Sequence, residues 1–356
     1  MKICFVLPKF TRQPIGGYKI VFEYANRFID EGNEVCIVFI NEEALQQFKL
    51  PRFVRGIMAS FITKIEPKWF PLNVNIKKYS STTSGYLKNV NDSDIVFATG
   101  IQTVEIVKEN FKKAKKFYLI QGYENWGVSE EYLWSTYNCG FTNIVVSNWL
   151  KSIVDEHSNS KSLLLKNPID VSVYECKVNQ SERKNHTIGL LYHTEPIKGL
   201  EYAFKALYKL KDMYSDLEVE MFGMFPVPKN LPKWINYKRG ASQEETVEVY
   251  NKVHVFLCAS VEEGYGLTGL EAMACGACLV STAYKGVLEY AENDVNALLS
   301  PVKDVDGLVQ NVIRLFESSE ETKRISEEGV RSVKQYSWRE TMVKLNNIVS
   351  IRRNDL

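Results

Sequence analysis

Short apolar runs in this chain alternate with longer stretches in which apolar residues recur every three or four positions. The first two apolar runs lie within residues 3–7 and 34–40, the second of them after Glu34. The apolar residues between them fall at helical spacing: Ile20, Val21, Tyr24, Ala25, Phe28 and Ile29. Runs of this length are typical of buried strands, and the spacing predicts an amphipathic helix. The pattern therefore predicts a βαβ unit with parallel strands.

The same alternation continues through both halves of the chain. It predicts further strands at residues 94–98, 116–120 and 143–147, and then weakens in a polar segment, residues 168–186, which we interpret as a linker. Beyond it the pattern predicts strands at residues 187–192, 219–222, 254–259 and 277–281, with helices between and after them. We expect two doubly wound, Rossmann-like α/β domains, residues 1–168 and 186–336, which face a central ligand cleft.

Composition and charge narrow the class of protein. The 356 residues are 45% apolar and 24% charged, with a net charge of +1, which suits a globular chain and argues against a nucleic-acid binder. The charge is uneven: residues 1–168 hold 21 Lys/Arg against 16 Asp/Glu, and residues 169–356 hold 23 against 27. The chain has seven cysteines and neither an export signal nor a membrane-spanning apolar run. We therefore expect a cytoplasmic protein.

Residues 260–274 carry the most chemical information. Glu263 follows a predicted strand, and Glu271 lies eight residues later, within the next predicted helix. Gly264 and Gly266 allow a ligand to approach the backbone, and the start of the helix offers N–H groups to a phosphate. A carboxylate one turn into the helix suits ribose hydroxyls. This pattern favours a nucleotide site, with a capped helix and a tight turn as the structural alternative.

The same stretch, EEGYGLTGLEAMACG, resembles the signature of the family 4 retaining glycosyltransferases, two glutamates separated by seven residues. These enzymes have the GT-B fold. The resemblance implies that Glu263 contacts hydroxyls of the transferred sugar and that Glu271 holds the donor's ribose. It also implies a donor-binding loop whose amides meet the diphosphate, formed by Gly264, Tyr265, Gly266 and Leu267.

Residues 188–199 resemble a second segment of that family, VGRLxxxKG. By this resemblance Lys198 binds the donor and neutralises the diphosphate as it leaves. The family's arginine is replaced by His193, whose charge, unlike that of arginine, depends on pH. Lys198, His193 and Glu263 form the predicted catalytic set. A solvated lysine and a structural histidine are the alternatives.

The first half resembles the family less specifically. Gly16 and Gly17 are similar to the glycine-rich loop that faces the diphosphate and the acceptor. Gln121 stands where many relatives carry a histidine that reaches the sugar. Tyr123 and Glu124 follow it, in a run similar to the IQDYE-like run of bacterial polysaccharide and rhamnosyltransferase-like members. We expect these five residues to line the first domain's side of the cleft.

The resemblance implies an overall function. It is the retaining transfer of a sugar from a nucleotide-diphosphate sugar to a hydroxyl of a growing glycan, in a cell-surface polysaccharide or glycoconjugate. Neither a cofactor nor a metal is expected, because the family uses none and the lone pair of Cys275 and Cys278 lacks further ligands. The alternatives are a non-catalytic glycosyltransferase-like subunit and a GT-B nucleotide-sugar epimerase. Residues 336–338 resemble the FSW motif, so the C-terminal helix, residues 338–356, is expected to pack on the first domain.

Residues 49–78 form a basic segment with an apolar stripe. The cations are Lys49, Arg52, Arg55, Lys64, Lys68, Lys77 and Lys78, against the single acid Glu66. The stripe consists of Phe53, Ile57, Met58, Phe61, Ile62 and Ile65. A basic amphipathic helix binds anionic membranes, so we expect peripheral attachment to the inner face of the cell membrane and a lipid-linked acceptor. The alternative is a helix whose stripe packs on the sheet.

Overall fold

The computed structural model describes residues 1–125 and 127–350. Contacts within the chain define two compact units. The first comprises Met1–Lys166 and the chain from Met342 onward, and the second is Asn167–Thr341.

The first unit is built on a parallel sheet flanked by helices. Within the described residues its strands are Lys2–Leu7 (β1), Glu34–Phe39 (β2), Lys77–Ser80 (β3), Ile95–Ala98 (β4), Lys115–Ile120 (β5), Thr142–Val145 (β6) and Leu163–Leu164 (β7), in the order β3-β2-β1-β4-β5-β6-β7. The helices are Gly16–Asp30 (α1), Arg52–Ile65 (α2), Ile101–Asn110 (α3), Glu130–Tyr137 (α4) and Asn148–His157 (α5). The central strands are continuously apolar because both faces of such a sheet are covered.

The second unit repeats this plan. Its described strands are Thr187–Tyr192 (β8), Glu218–Gly223 (β9), Ile235–Arg239 (β10), Val255–Cys258 (β11), Cys278–Thr282 (β12) and Leu298–Ser300 (β13), in the order β10-β9-β8-β11-β12-β13. The helices are Leu200–Met213 (α6), Gln243–Lys252 (α7), Leu267–Ala274 (α8), Val305–Glu317 (α9), Ser319–Val333 (α10) and Trp338–Ser350 (α11). The predicted pair of doubly wound, Rossmann-like domains is confirmed.

Each strand order reverses direction at one point, and this point locates a ligand site. In the first sheet the reversal falls between β1 and β4, and in the second between β8 and β11. Ligands of open parallel sheets bind outside the carboxyl ends of the strands at such a reversal. In the second unit, this rule predicts a ligand site at the loops that follow β8 and β11.

The segment predicted as a linker belongs to the second unit instead. Arg183 is 8% exposed, and its guanidinium donates hydrogen bonds to the carbonyls of Val253 and Cys275 at 2.7 and 2.6 Å. Gln180 donates to the carbonyls of His254 and Gly276 at 2.9 and 2.8 Å. The polar composition was therefore misleading, because these side chains satisfy buried backbone oxygens rather than water.

The C-terminal helix α11 contacts the first unit through its later residues. Asn346 donates to the carboxylate of Glu31 at 3.0 Å, and Lys115 donates to the carbonyl of Val349 at 2.9 Å. The helix was predicted to run to residue 356, and residues 351–356 lie outside the described part of the chain. Among the described helices, none combines the length and the apolar character that crossing a membrane requires.

Candidate active site

Two loops at the reversal point of the second sheet bring Lys198 and Glu263 together. Lys198 lies in the loop after β8, and Glu263 lies in the loop after β11. The ammonium nitrogen of Lys198 is 2.8 Å from Oε2 of Glu263, and their side chains are 25% and 13% exposed. The hydroxyl of Ser260 donates to Oε1 of Glu263 at 2.5 Å. The carboxylate is therefore held on both oxygens and still reaches the surface.

The backbones of these two loops are joined. The amide of Val261 donates to the carbonyl of Ile197 at 2.7 Å. Gly199 has φ of +62°, and a Cβ at this position would lie 1.8 Å from the carbonyl oxygen of Ala259. Only glycine permits both the left-handed conformation and this close approach. The loop geometry therefore fixes the spacing of Lys198 and Glu263.

Glu271 lies on α8, one turn beyond its start. The residue is 8% exposed, and the phenol of Tyr250 donates to its Oε2 at 3.1 Å. Tyr250 lies on α7 and is fully buried. No local sequence pattern indicated Tyr250, because its contact with Glu271 depends on the packing of α7 against α8.

Gly266 precedes α8 in a conformation that requires glycine. Its φ is +86°, and a Cβ would lie 2.0 Å from the hydroxyl of Tyr284. The phenol of Tyr290 donates to the carbonyl of Gly266 at 2.6 Å. The buried side chains of Tyr284 and Tyr290 thus pack against this turn. The N-cap residue of α8 is Gly266, which has no side chain to cap the helix. The backbone amides at the start of α8 can therefore bind an anion.

The other predicted donor-loop residues are arranged around this turn. Tyr265 is 3% exposed and its ring lies 5.6 Å from that of Tyr290, so it packs under the loop. Gly264 and Leu267 are half-buried. The structure thus gathers Lys198, Glu263 and the residues from Gly264 to Leu267 at the start of α8, with Glu271 inside the helix.

His193 lies in the same loop as Lys198, in a setting that disfavours a positive charge. Burial and the neighbouring Lys198 lower the pKa of its imidazole, although Glu195 and Glu263 oppose the shift. The backbone amide of Glu195 donates to Nδ1 of His193 at 3.1 Å, and the ring of Phe225 packs edge-on at 4.8 Å. Because Nδ1 accepts this hydrogen bond, the contact favours the neutral imidazole, and the expectation that His193 shares charge stabilisation with Lys198 stays a prediction.

In the first unit, Gly17 and Gln121 lie side by side. Gly16 and Gly17 begin α1, and Gln121 directly follows β5. A Cβ on Gly17 would lie 3.2 Å from Nε2 of Gln121. The Oε1 atom of Gln121 is buried and has no hydrogen-bond partner among the described residues. The structure therefore unites three of the five predicted residues of this unit.

Tyr123 and Glu124 are engaged elsewhere. The phenol of Tyr123 donates to Glu130 at 3.0 Å. Glu124 is 6% exposed, and its Oε2 accepts the amide of Ile101 at 2.5 Å and the phenol of Tyr118 at 3.2 Å. Burial raises its pKa to about 7. The expectation that Glu124 lines the ligand cleft is corrected: its carboxylate satisfies an amide at the start of α3.

Helix α2 exposes the stripe predicted from the sequence. Phe53, Ile57 and Phe61 are 71%, 68% and 65% exposed. The face turned inward carries small residues, and Ala59 and Thr63 are its buried members. The alternative in which the stripe packs on the sheet is therefore wrong for most of its residues. Met58 and Ile65 are also exposed, and only Ile62 is partly covered.

No cluster of three or more His, Cys, Asp or Glu side chains suited to a metal occurs among residues 1–125 and 127–350. The groups that the site presents are a paired lysine and glutamate beside a helix N-terminus.

Comparisons with known proteins agree with this fold. Residues 177–331 match the family model of the glycosyl transferases group 1. A glycosyltransferase of Methanocaldococcus jannaschii, described as uncharacterized, is 23% identical over 58% of each chain. The MMP alpha-(1->4)-mannosyltransferase of Mycolicibacterium hassiacum is 25% identical over 48% of this chain and 44% of its own. The matches thus span about half the length of these curated relatives.

Similarity of fold extends over nearly the whole chain. HepE of Anabaena, solved in complex with UDP and glucose, superimposes with a TM-score of 0.76, covering 98% of this chain and 99% of its own at 13% identity. The fold is therefore the GT-B fold that the sequence resemblance implied. Within the chain, residues 177–331 form a domain of the glycosyl transferases group 1.

Proposed function

We propose that this protein is a retaining glycosyltransferase that moves a sugar from a nucleotide-diphosphate sugar to a hydroxyl of a growing glycan. One observation carries the proposal: the Lys198–Glu263 pair, 2.8 Å apart, lies beside the uncovered start of α8, which holds Glu271 one turn further on. HepE, which shares the fold, was solved with UDP and glucose, and this supports a nucleotide-sugar donor.

The proposed donor lies along this row of groups. Its ribose reaches Glu271, its diphosphate meets the amides of Gly266 and Leu267, and its sugar hydroxyls meet Glu263. Lys198 can bind both Glu263 and the diphosphate, because an ammonium group has three N–H donors and Glu263 accepts one of them. The remaining donors are available to the diphosphate, whose charge grows as it leaves.

The proposed reaction exchanges one bond for another on the same face of the sugar. The bond between C1 and the phosphate oxygen breaks, the bond between C1 and the acceptor oxygen forms, and the departing phosphate takes the proton of the acceptor hydroxyl. In this reaction the residues of the chain position the substrates and neutralise charge, and none of them acts as a nucleophile. We assign charge neutralisation to Lys198 and the amides of α8 without a metal, so transfer should persist in EDTA.

The experiment that tests the proposal begins with nucleotide binding. In a thermal-shift panel of UDP, GDP, dTDP and their sugars, the nucleotides that carry one particular base should raise the Tm of the wild type. Glu271→Ala should remove this shift, and Glu244→Ala should keep it, because Glu244 is an exposed residue on α7. The donor so identified is then incubated with candidate glycan acceptors, and the anomeric configuration of the product is read by NMR.

The alternatives give different outcomes of the same experiment. A change of configuration in the donor alone, without an acceptor, would indicate an epimerase. No shift with any nucleotide or nucleotide sugar would indicate a non-catalytic subunit. An inverted anomeric centre in the product would contradict retention.

The proposal extends to the membrane. The exposed stripe of α2 is flanked by cations, among them the exposed Arg52, Lys64 and Lys68. Aromatic and aliphatic side chains enter the boundary between headgroups and acyl chains, and nearby cations attract anionic lipid. We propose that α2 lies on the inner face of the cell membrane, where a lipid-linked acceptor is held.

A further inference from the structure

A small pocket opens at the carboxyl end of β3, in the first unit. Its volume is about 290 Å³, near the lower end of the ~300–1,000 Å³ usual for small-molecule sites. It is lined by a continuous turn: Ser81, Thr82, Thr83, Ser84, Gly85, Tyr86 and Leu87. The strands of this sheet are parallel, so the pocket lies at the same edge of the sheet as Gln121, which follows β5.

The lining suits an uncharged ligand rich in hydroxyl groups. It offers four side-chain hydroxyls, a phenol and the methyl groups of Leu87, and it contains neither Lys nor Arg. The hydroxyl of Ser81 donates to Oε2 of Glu42 at 2.7 Å. Burial, with the charge of Glu42 as a second cause, raises the pKa of the Tyr86 phenol. Glu42 does not line the pocket, but its contact with Ser81 places a carboxylate next to the lining, and a carboxylate accepts hydrogen bonds from sugar hydroxyls and repels phosphates.

The floor of the pocket is fixed by hydrogen bonds. Asn41 donates to Ser80 at 2.8 Å, and the hydroxyls of Ser80 and Thr82 are 2.7 Å apart. By contrast, the Ser84 hydroxyl and the Tyr86 phenol make no hydrogen bond to any other residue in the described part of the chain. The floor is thus preorganised, while these two groups are available to a ligand.

Helix α2 connects this pocket to the exposed stripe. On its inner face, the carbonyl of Gly56 accepts the Thr82 hydroxyl at 2.9 Å, and the Ser60 hydroxyl lies 3.0 Å from that of Thr82. On its outer face, the same helix presents Phe53 and Phe61. The pocket and the stripe are therefore separated by roughly one helix diameter, ~10 Å. An amphiphile with a sugar head and a lipid tail can reach both.

We propose that the turn from Ser81 to Leu87 binds an uncharged sugar ring of a lipid-linked acceptor. The role as acceptor rests on the proposed function, whereas sugar binding by the pocket does not. The pocket holds the ring through Ser84, Tyr86 and Glu42, and α2 keeps the lipid tail in the membrane.

The test uses simple sugars as probes. Saturation-transfer NMR is recorded on the full chain with the methyl glycosides of glucose, galactose, mannose, N-acetylglucosamine and rhamnose. At least one glycoside should give a signal with the wild type. Ser84→Phe, which fills the pocket, should abolish that signal. Ser160→Phe, the same change at an exposed serine of the same unit, should leave it intact.

Further variants separate the pocket from the donor site. The signal should persist in Glu263→Ala, which removes the proposed contact to the donor sugar. If Ser84→Phe fails to fold, Glu42→Gln decides, because it keeps the shape and should weaken binding several-fold. The inference is overturned if no glycoside binds the wild type, if binding survives Ser84→Phe, or if, in that fallback, Glu42→Gln binds like the wild type.

Failure of the pocket and failure of the proposed function are distinguishable. A nucleotide that binds the wild type but not Glu271→Ala, without any glycoside in the pocket, would contradict only the acceptor site. A glycoside in the pocket without nucleotide binding would contradict the transferase and leave a sugar-binding site.

Discussion

Lys198 and Glu263, which lie 65 positions apart in the sequence, form an ion pair with a distance of 2.8 Å between Nζ and Oε2. The two loops meet because β8 and β11 are neighbours at the reversal point of the second sheet. Ser260 holds the second oxygen of Glu263. The lysine is thus oriented by the residue that is proposed to hold the donor sugar, beside the helix proposed to hold its diphosphate.

Replacement of Lys198 should slow the chemical step. Because its ammonium group is proposed to meet charge that grows during departure of the nucleotide, Lys198→Ala should lower kcat by ~10²-fold or more. Steady-state rates with the identified donor measure this effect. Lys205→Ala, at an exposed position on α6, is the control and should match the wild type. A kcat of Lys198→Ala within a few-fold of wild type would show a merely solvated lysine.

The two glutamates should separate binding from turnover. Glu271→Gln keeps an acceptor for the Tyr250 phenol but removes the charge proposed to hold the ribose, so nucleoside diphosphate affinity should fall by about tenfold or more. Glu263→Ala should lower kcat while the nucleoside diphosphate affinity stays near wild type. Calorimetry and initial rates test both. An equal loss of affinity in the two variants would contradict the assignment.

Sequence reasoning reached the residues that belong to one local pattern. Lys198, Glu263, Gly266 and Glu271 each follow a strand or open a helix, so alternating apolar runs place them at one edge of the sheet. Tyr250, Tyr284 and Tyr290 could not be found in this way. They act through contacts set by the packing of α7 and of the loop after β12, which no local spacing encodes.

The same limit explains the errors. Glu124 follows a strand, as a ligand-binding residue would, yet its carboxylate reaches the start of α3. Arg183 lies in a polar segment that looked like a linker, yet it satisfies buried carbonyls. In both cases an ionisable side chain meets a backbone group that is distant in sequence, whereas composition alone suggested that it would meet solvent or a ligand.

Glu124 should make stability depend on pH. Its pKa is raised to about 7 in the folded chain, so the folded state binds the proton more tightly than the unfolded state does. Stability contributed by this group is therefore fully present below pH ~4.5 and is lost as pH rises through about 7. Glu124→Gln keeps the contacts to Ile101 and Tyr118 without titrating.

We expect the stability of the glutamine variant, relative to that of the wild type, to increase as the pH rises. The Tm of Glu124→Gln minus that of wild type should increase between pH 4.5 and pH 7 and then level off, corresponding to at most about 3 kcal/mol. Thermal unfolding across this range measures it. A constant difference at all pH values would contradict the buried, protonated carboxyl, and a large loss of transfer rate in the variant would point instead to substrate contact.

Membrane binding should depend on the charge of α2. Wild type should sediment with vesicles that contain anionic lipid, in a salt-sensitive way, and not with neutral vesicles. Reversal of Arg52, Arg55 and Lys64 to Glu should abolish sedimentation, because each nearby cation contributes ~1 kcal/mol. The control makes the same charge change on exposed lysines elsewhere in the unit: Lys108, Lys112 and Lys113.

The control variant should bind vesicles better than the α2 variant, and both should bind nucleotide like the wild type. An equal loss of vesicle binding in the two variants would show that binding depends on the net charge of the protein and not on the cations of α2. If wild type does not sediment with anionic vesicles even at low salt, α2 does not hold the protein on a membrane.

Gly266 offers a test of the turn that opens α8, with Gly240 as its matched control. Both residues have positive φ, +86° and +69°, so alanine is strained at each by ~1–2 kcal/mol. They differ in their surroundings. A Cβ on Gly240 would meet nothing within 4 Å, whereas one on Gly266 would lie 2.0 Å from the Tyr284 hydroxyl.

Gly240→Ala should therefore lower the Tm by only a few degrees and leave nucleotide affinity unchanged. Gly266→Ala should cost more stability, and it should weaken nucleotide binding, because the ring of the buried Tyr284 can yield only if the loop moves away from the start of α8. Thermal unfolding and calorimetry on both variants make the comparison. Wild-type nucleotide affinity in Gly266→Ala would mean that the amides of this turn do not bind the diphosphate.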